Sequence, residues 1–327
     1  MNRIRKLTRF ALLSLLALQA TPAASQPAAA WPSKPIRLIV GYSPGGGTDL
    51  TARLVAERLS PVLGQPIIVE NRAGAGSNIA GELVAKAAPD GYTLFASAGS
   101  MSTNPGLYPK MAFDPIRDFA PVIGLALLPN VIVVNAALPV NNIQELIAYA
   151  KANPGTAACA SSSVGSTGHL SCELFNLQAG TQLLHVPYKG SSGAVAAVLA
   201  GQVPVLFDQI PAPLPHIKSS RMRAIALTGP KRNANLPDVQ TSDESGLPGF
   251  YANTWVAVFA PAGTSPAIVA RLSTEIDRIL QGADMRQRFE AMGMEAIGGS
   301  PESLAQLLAS DTAKWARVIK AANVKLE

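Results

Sequence analysis

The sequence predicts an α/β protein of two lobes, each a mostly parallel sheet flanked by helices, with a ligand cleft between the lobes. Three observations carry this expectation. Short apolar runs alternate with longer amphipathic segments, the pattern of βαβ units joined by right-handed crossovers. About 300 residues follow a leader-like start, more than one hydrophobic core usually holds. A strand, a turn of small residues and a helix start occur in that order twice, as IVGYSPGGGTDL at residues 39–50 and ACASSSVGSTG at 158–168.

The chain opens with MNRIRKLTR, which is positive, then FALLSLLALQA, then the small residues TPAAS. That is the order of a secretory signal, and its apolar run is too short to span a bilayer. A signal peptide over residues 1–25 is expected, cut after Ser25 or, second, after Ala30. It contains no cysteine for a lipid anchor and no twin arginine, so general secretion to a bacterial periplasm is the expected route. The leader takes Arg3, Arg5, Lys6 and Arg9 and no acid, leaving 23 basic against 21 acidic side chains, a net +2. Such a charge is no basis for nucleic-acid binding.

Residues 36–40 read as a buried strand. Gly45, Gly46 and Gly47 then make a tight turn into a helix whose apolar face is Leu50, Leu54, Val55 and Leu59. Glycines let the backbone approach a ligand, and the free N–H groups of a helix start carry partial positive charge, so the unit is a cradle for a small anion. No Gly-Lys-Ser/Thr closes it and it lacks GxGxxG spacing, so it is neither a Walker loop nor a dinucleotide fingerprint. An ordinary βα turn with Thr48 or Asp49 as cap is the alternative.

Residues 66–70 predict a second strand, 71–76 a loop, and Ser77 or Asn78 the start of a helix through Ala87. Pro89-Asp90-Gly91 turns into a strand at 92–96. Residues 97–104 (SAGSMSTN) are expected as a polar loop at the carboxyl end of that strand, where Asn104 and the hydroxyls meet a ligand or bond their own backbone. Residues 123–135 read as one apolar strand interrupted by Pro129, and a helix over 142–151 stops at Asn153-Pro154-Gly155.

A second unit follows: strand 156–161, loop 162–168, helix 169–179. Strand 183–187, the loop Tyr188-Lys189-Gly190, helix 192–200 and strand 203–208 complete it. Strands at 223–229 and 254–261 come next, the second returning the chain to the first lobe. Ser265-Pro266 and Ser300-Pro301 are helix starts. The last helix, over residues 302–321, aligns Leu304, Leu307, Leu308, Trp315, Val318 and Ile319 on one stripe, with Trp315 in the core. The expected lobes are 31–128 plus 255–327, and 129–254.

Catalytic and metal chemistry find little support. His169, His185 and His216 lack metal-ligand spacing, no GxSxG elbow is present, and His169 near a helix start reads as a structural hydrogen-bonder. No metal and no cofactor are expected. Asp49 and Asp208 follow strand ends, where they either face the cleft or fix a loop. Cys159 and Cys172, the only cysteines, either pair in an oxidising compartment, stapling the 162–168 loop, or remain two buried thiols.

The runs GYSPGGGTDLTARLVAERL, VENRAGAGSNIAGELVAKAAPDGYTL, ASSSVGSTGHLSCELF, HVPYKG, GQVPVLFD, LPHIKSSRMRAIALT and VFAPAGT resemble, in this order and over the whole mature chain, the Bug-type solute-binding receptors of tripartite tricarboxylate transporters. The resemblance implies a two-lobe periplasmic binding protein of type II-like architecture, not an enzyme. It would close as a monomer on a small organic acid and deliver it to a permease of one large and one small integral membrane subunit. Carried over position by position, it implies ligand contacts at Tyr42, Gly46, Gly47, Thr48 and Asp49 in the first lobe and at Ser162, Ser163, Val164, Gly165, Ser166 and Thr167 in the second, with Asn104 and Asp208 as weaker additions. Family members often carry Gly-Asn where this chain has Ser163-Val164, which implies a ligand with an apolar portion. A sensing subunit for a membrane histidine kinase is the alternative, and a hydrolase working through His169 or Asp208 a third reading.

Overall fold

In the computed structural model, which describes residues 31–324, the first apolar run forms β1 (Ile36–Val40) and the glycine turn leads into α1 (Gly47–Leu63). The leader expected over residues 1–25 lies outside the described residues. β2 (Ile67–Asn71) and β3 (Thr93–Ser97) flank β1, both parallel to it, with α1 and α2 (Asn78–Ala85) as the crossovers. The parallel character ends there. β10 (Thr254–Pro261) pairs antiparallel with both β3 and β4 (Phe119–Leu128), and β11 (Glu295–Gly298) pairs antiparallel with β4. The first sheet therefore runs β11-β4-β10-β3-β1-β2 and is mixed rather than mostly parallel, because the chain leaves it and comes back.

The second sheet runs β7-β6-β8-β5-β9, from β5 (Asn130–Asn135), β6 (Ala158–Ser161), β7 (Leu184–Pro187), β8 (Val205–Gln209) and β9 (Met222–Leu227). β6 is parallel to β7 and β8, and β5 is antiparallel to β8 and β9. The two sheets make an α/β fold of two lobes.

Three expectations are corrected. The single strand expected over 123–135 is two strands in different sheets, with Pro129, which has no N–H to give a ladder, as the residue between them. The loop expected over 97–104 is largely α3 (Ser100–Leu107), held by tertiary bonds that its hydroxyl-rich composition conceals: Ser102 Oγ donates to Asp311 (2.7 Å) and Thr103 Oγ1 to the Gly165 carbonyl (2.8 Å). Helix α5 starts at Thr167 rather than His169 and runs Thr167–Ala179. The short α7 (Leu214–Lys218), α9 (Ala283–Ala291) and β11 were not expected.

Each sheet is covered on both faces. On one side of the first, α2 and α10 (Pro301–Ala321) bury Val84, Leu304 and Leu308 against Phe95, Trp255 and Phe259. On the other side α1 and α8 (Pro266–Gln281) pack together. α4 (Ile143–Ala152) and α5 cover one face of the second sheet through Ile143, Leu146 and Phe175, and α6 (Ser191–Leu199) covers the other through Ala194, Val195 and Val198. Each large apolar side chain withdrawn from water in these layers contributes about 1.5–3 kcal/mol. Cys159 on β6 and Cys172 on α5 are disulfide-bonded inside the second layer. Among the described residues no helix is long and apolar enough to cross a membrane.

Candidate functional site

Four strand-to-helix turns, two from each sheet, meet where the parallel strands end, the edge at which open α/β sheets take ligands. β1 leads into α1 through Gly46, β3 into α3 through Gly99, β6 into α5 through Ser166, and β7 into α6 through Gly190. Residues from all four turns line one narrow inner recess of about 20 Å³. An outer cleft of about 510 Å³ shares Tyr42, Ser43, Ser162 and Gly190 with it.

Small residues are required here. A Cβ on Gly47 would lie 2.3 Å from Leu128 Cδ2 and 2.6 Å from Gln209 Oε1, and one on Gly99 would lie 2.9 Å from Thr254 Oγ1. Gly46, Gly99 and Gly190 cap their helices without any side-chain hydrogen bond. The first N–H groups of α1 and α6 therefore keep their donor capacity for another partner, whereas in α3 Met101 N and Ser102 N already donate to the Ala98 and Gly99 carbonyls and Ser100 N is the donor left. At the fourth turn Ser166 Oγ accepts from His169 N (3.2 Å). No charged side chain lines the inner recess. Its one titratable wall is Tyr42, whose hydroxyl, bonded to Ser100, burial pushes up to about 12, so it stays a neutral donor. Four converging helix starts and no fixed charge make a site of net positive potential, suited to an anion that brings its own charge.

The expected site residues divide. Tyr42, Gly46, Gly47, Thr48, Ser162, Ser166 and Thr167 line the inner recess, and Ser163 and Val164 line the outer cleft. Gly165 lies behind the loop, its carbonyl accepting from Thr103 and its N–H donating to His169 Nδ1 (3.0 Å).

Asp49, Asn104 and Asp208 line neither cavity. Asp49 fastens the first loop, accepting from Gly45 N (3.0 Å), Asn71 Nδ2 (2.8 Å) and Arg53 Nε (3.0 Å). Against the upward pull of burial, these donors hold its carboxyl below the usual range. Asn104 Nδ2 donates to the Gly76 carbonyl and to Asn78 Oδ1. Asp208 accepts from Gln209 N (2.9 Å) beside the Ser191 hydroxyl, and burial raises its carboxyl to about 6. It stands behind two lining residues, Ser191 and Gln209.

The sequence reading offered the hydroxyls of residues 97–104, Ser100 among them, but missed the helix start at Gly99-Ser100, and it missed the Gly190-Ser191 end together with Gln209 and Thr254. Gly190-Ser191 carried the same signal as Gly46-Gly47, a strand followed by a small-residue helix start. Gly99-Ser100 was masked by Pro105 within its helix.

Comparison with known proteins agrees with this architecture. The family model described as "Tripartite tricarboxylate transporter family receptor" matches residues 51–324. The chain is 38% identical over 329 residues to protein BugT of Bordetella pertussis, covering 100% of both chains. The structure of R. palustris Rpa4515 with adipate is 38% identical and superposes with a TM-score of 0.88, over 90% of this chain and 100% of that one. MatC (Rpa3494) from Rhodopseudomonas palustris with bound malate is 32% identical, with a TM-score of 0.83 over 88% of this chain and 100% of that one. The chain belongs to this family: it is a Bug-type solute-binding receptor of the tripartite tricarboxylate transporters.

Proposed function

We propose that this receptor, exported to the periplasm by cleavage of its leader, captures a small organic acid and hands it unchanged to the integral membrane subunits of its permease. The convergence of four helix starts on a recess without charged side chains carries this reading. A carboxylate in the recess accepts from the backbone N–H groups at Gly46–Thr48, Ser100, Thr167 and Ser191, and from the Thr48 and Ser162 hydroxyls. Charge-assisted bonds of this kind are the strong ones, and they need no arginine opposite. The body of the ligand extends into the outer cleft past Val164, Tyr108 and Pro187. Adipate and malate on the two relatives support a carboxylate.

The lobes divide at 31–128 plus 255–327 and 129–254, the chain crossing at Pro129 and returning ahead of β10. Asp49, Asn104 and Asp208 support the loops and do not touch the ligand. The receptor acts as a monomer, binds no nucleic acid and catalyses nothing: His169 accepts from the Gly165 N–H, His185 bonds the Ser161 hydroxyl, and neither lines the recess or the outer cleft.

A thermal-shift screen of the mature chain against mono-, di- and tricarboxylates, acidic amino acids and aromatic acids tests this. The cognate acid raises the midpoint with the logarithm of its concentration over Kd. Thr48→Val and Ser166→Ala each weaken its binding about tenfold, the loss of one charge-assisted bond or of the cap that shapes the loop. No shift with any acid, in folded and ligand-free protein, overturns the carboxylate assignment.

A further inference from the structure

Beneath the second ligand loop lies a pair of imidazoles that the binding site itself does not use. The His169 and His185 rings stack with centroids 3.7 Å apart and planes 16° from parallel. His169 is buried on α5, and His185 stands beside Cys159 in the β6–β7 register. Each ring holds the loop. His169 Nδ1 accepts from the N–H of Gly165, a residue at φ 75°. His185 Nε2 is 2.6 Å from Ser161 Oγ, which donates to the Ser163 carbonyl (3.1 Å). Ser166 Oγ in turn donates to the same Ser163 carbonyl (2.8 Å) and caps α5. The shape of residues 161–166 is thus fixed from below by two side chains that reach no ligand.

We propose that the His169–His185 stack is the positioning device of this loop: two neutral imidazoles hold residues 161–166 in the binding shape, and a proton on the pair releases the loop and weakens ligand binding. This rests on the carboxylate-receptor reading above.

The chemistry is specific. His169 Nδ1 serves as an acceptor only while it carries no proton, so the neutral ring is the Nε2–H tautomer. Protonation turns that nitrogen into a donor facing the Gly165 N–H, and two imidazolium rings cannot remain stacked at 3.7 Å. Burial opposes the charge as well, lowering His169 to about 4 and, with His169 beside it, His185 to about 3.

The surroundings offer a proton little compensation. On α5 itself Glu173 Oε1 is 3.7 Å from His169 Nε2, but burial raises that carboxyl, so it loses its charge as the histidines would gain theirs. β6 contributes Cys159 and Ser161, neither charged. On β8, Phe207 packs toward α5, and the neighbouring Asp208 belongs to the opposite face near Ser191. From α10, Trp315 and Ile319 pack with Leu170, and Lys314 is paired with Asp311.

The test compares wild type, His169→Asn, which keeps an acceptor near Nδ1 but does not titrate, and His169→Leu, which has none. Amide hydrogen exchange of residues 162–167 in the ligand-free protein, corrected for intrinsic rates, is read at pH 7 and pH 4. Wild type is protected at pH 7 and loses about tenfold of that protection at pH 4. His169→Asn is protected at both, and His169→Leu at neither. Adipate affinity by calorimetry is the second arm. Because adipate takes up protons itself in this range, the readout is the ratio of wild-type to His169→Asn Kd, which rises about tenfold from pH 7 to pH 4. Equal protection in His169→Leu and wild type at pH 7, or an acid response surviving in His169→Asn, overturns the proposal. If adipate binds neither protein, the carboxylate reading is the one weakened, and the exchange arm still decides the role of the pair.

Discussion

Asp208 shows how a single side chain can serve a site at a cost to the fold. Its carboxyl is buried behind Gln209 and Ser191, and burial raises it to about 6 from the ordinary 3.8. A carboxyl raised in the folded state contributes stability that is complete below pH 3.8 and is lost as pH rises through about 6. At pH 8 the ionised group therefore costs the folded state about 3 kcal/mol. Asp208→Asn keeps an acceptor for Gln209 N and removes the charge. It is expected to raise the unfolding midpoint by several degrees at pH 8 and by much less at pH 4, measured by calorimetry. Equal or lower midpoints at both pH values would show that the carboxylate is better compensated than its surroundings suggest. The histidine pair acts in the other direction. Folded-state values below the ordinary 6.5 mean that its stability is complete above that pH and drains away as pH falls toward 4. The two effects are separable because each disappears with its own substitution.

Among the elements, the strand–loop–helix unit β6–α5 is the one most heavily restrained. The disulfide joins its strand to its helix across a sequence separation of 13, and the histidine stack closes the same unit from β7. Closing a loop of that length is worth about 3 kcal/mol in the chain-entropy model. The double variant Cys159→Ala, Cys172→Ala is expected to lower stability by that order in urea unfolding and to speed amide exchange in residues 162–167. Unchanged exchange there would assign loop order to the hydrogen bonds alone. Much of this unit was legible beforehand. Gly45–Gly47 and residues 162–167 announced themselves because small residues between an apolar run and an amphipathic one have few other uses. Elements whose signals conflict were not legible. α3 carries Pro105 and a hydroxyl-rich start, and it is helical because Asp311, Gly165 and Gly76 take its side chains, partners distant in sequence. α9 (ADMRQRFEA) buries little beyond Met285 and Phe289, so its periodicity is faint.

At the scale of the molecule, the two lobes touch around the recess. Ser43 Oγ donates to the Lys189 carbonyl (2.8 Å), and Thr103 Oγ1 to the Gly165 carbonyl (2.8 Å), each joining a residue of the first lobe to a loop of the second. Both bonds tie the lobes directly to one another, so each is expected to favour the arrangement in which the lobes meet, and with it the apparent affinity. Thr103→Val removes one of them at nearly constant volume. Weaker binding by about threefold to tenfold is expected, together with a larger radius of gyration for the ligand-free protein in X-ray scattering. Binding unchanged in Thr103→Val would place the closing energy elsewhere, for example in Leu170 packed with Trp315 and Ile319.

Sheet order is where the fold and the sequence reading diverge most, since Pro129 gave no sign of which sheet each neighbouring strand would join. It also fixes an order in which the two sheets can be completed as the chain appears from its amino end. β10 is an inner strand of the first sheet, lying between β3 and β4, and Thr254 pairs with Leu128 across the whole of the second lobe. A chain threaded amino end first through an export channel would display β3 and β4 with unpaired edges until β10 arrives. The second sheet has every strand it needs by Leu227. The lobe that starts first thus finishes last, and until residue 254 arrives its apolar strand edges are open to aggregation. Were the chain exported unfolded, as its leader leads one to expect, that half-built sheet would call for protection from association, a demand set by topology rather than by stability.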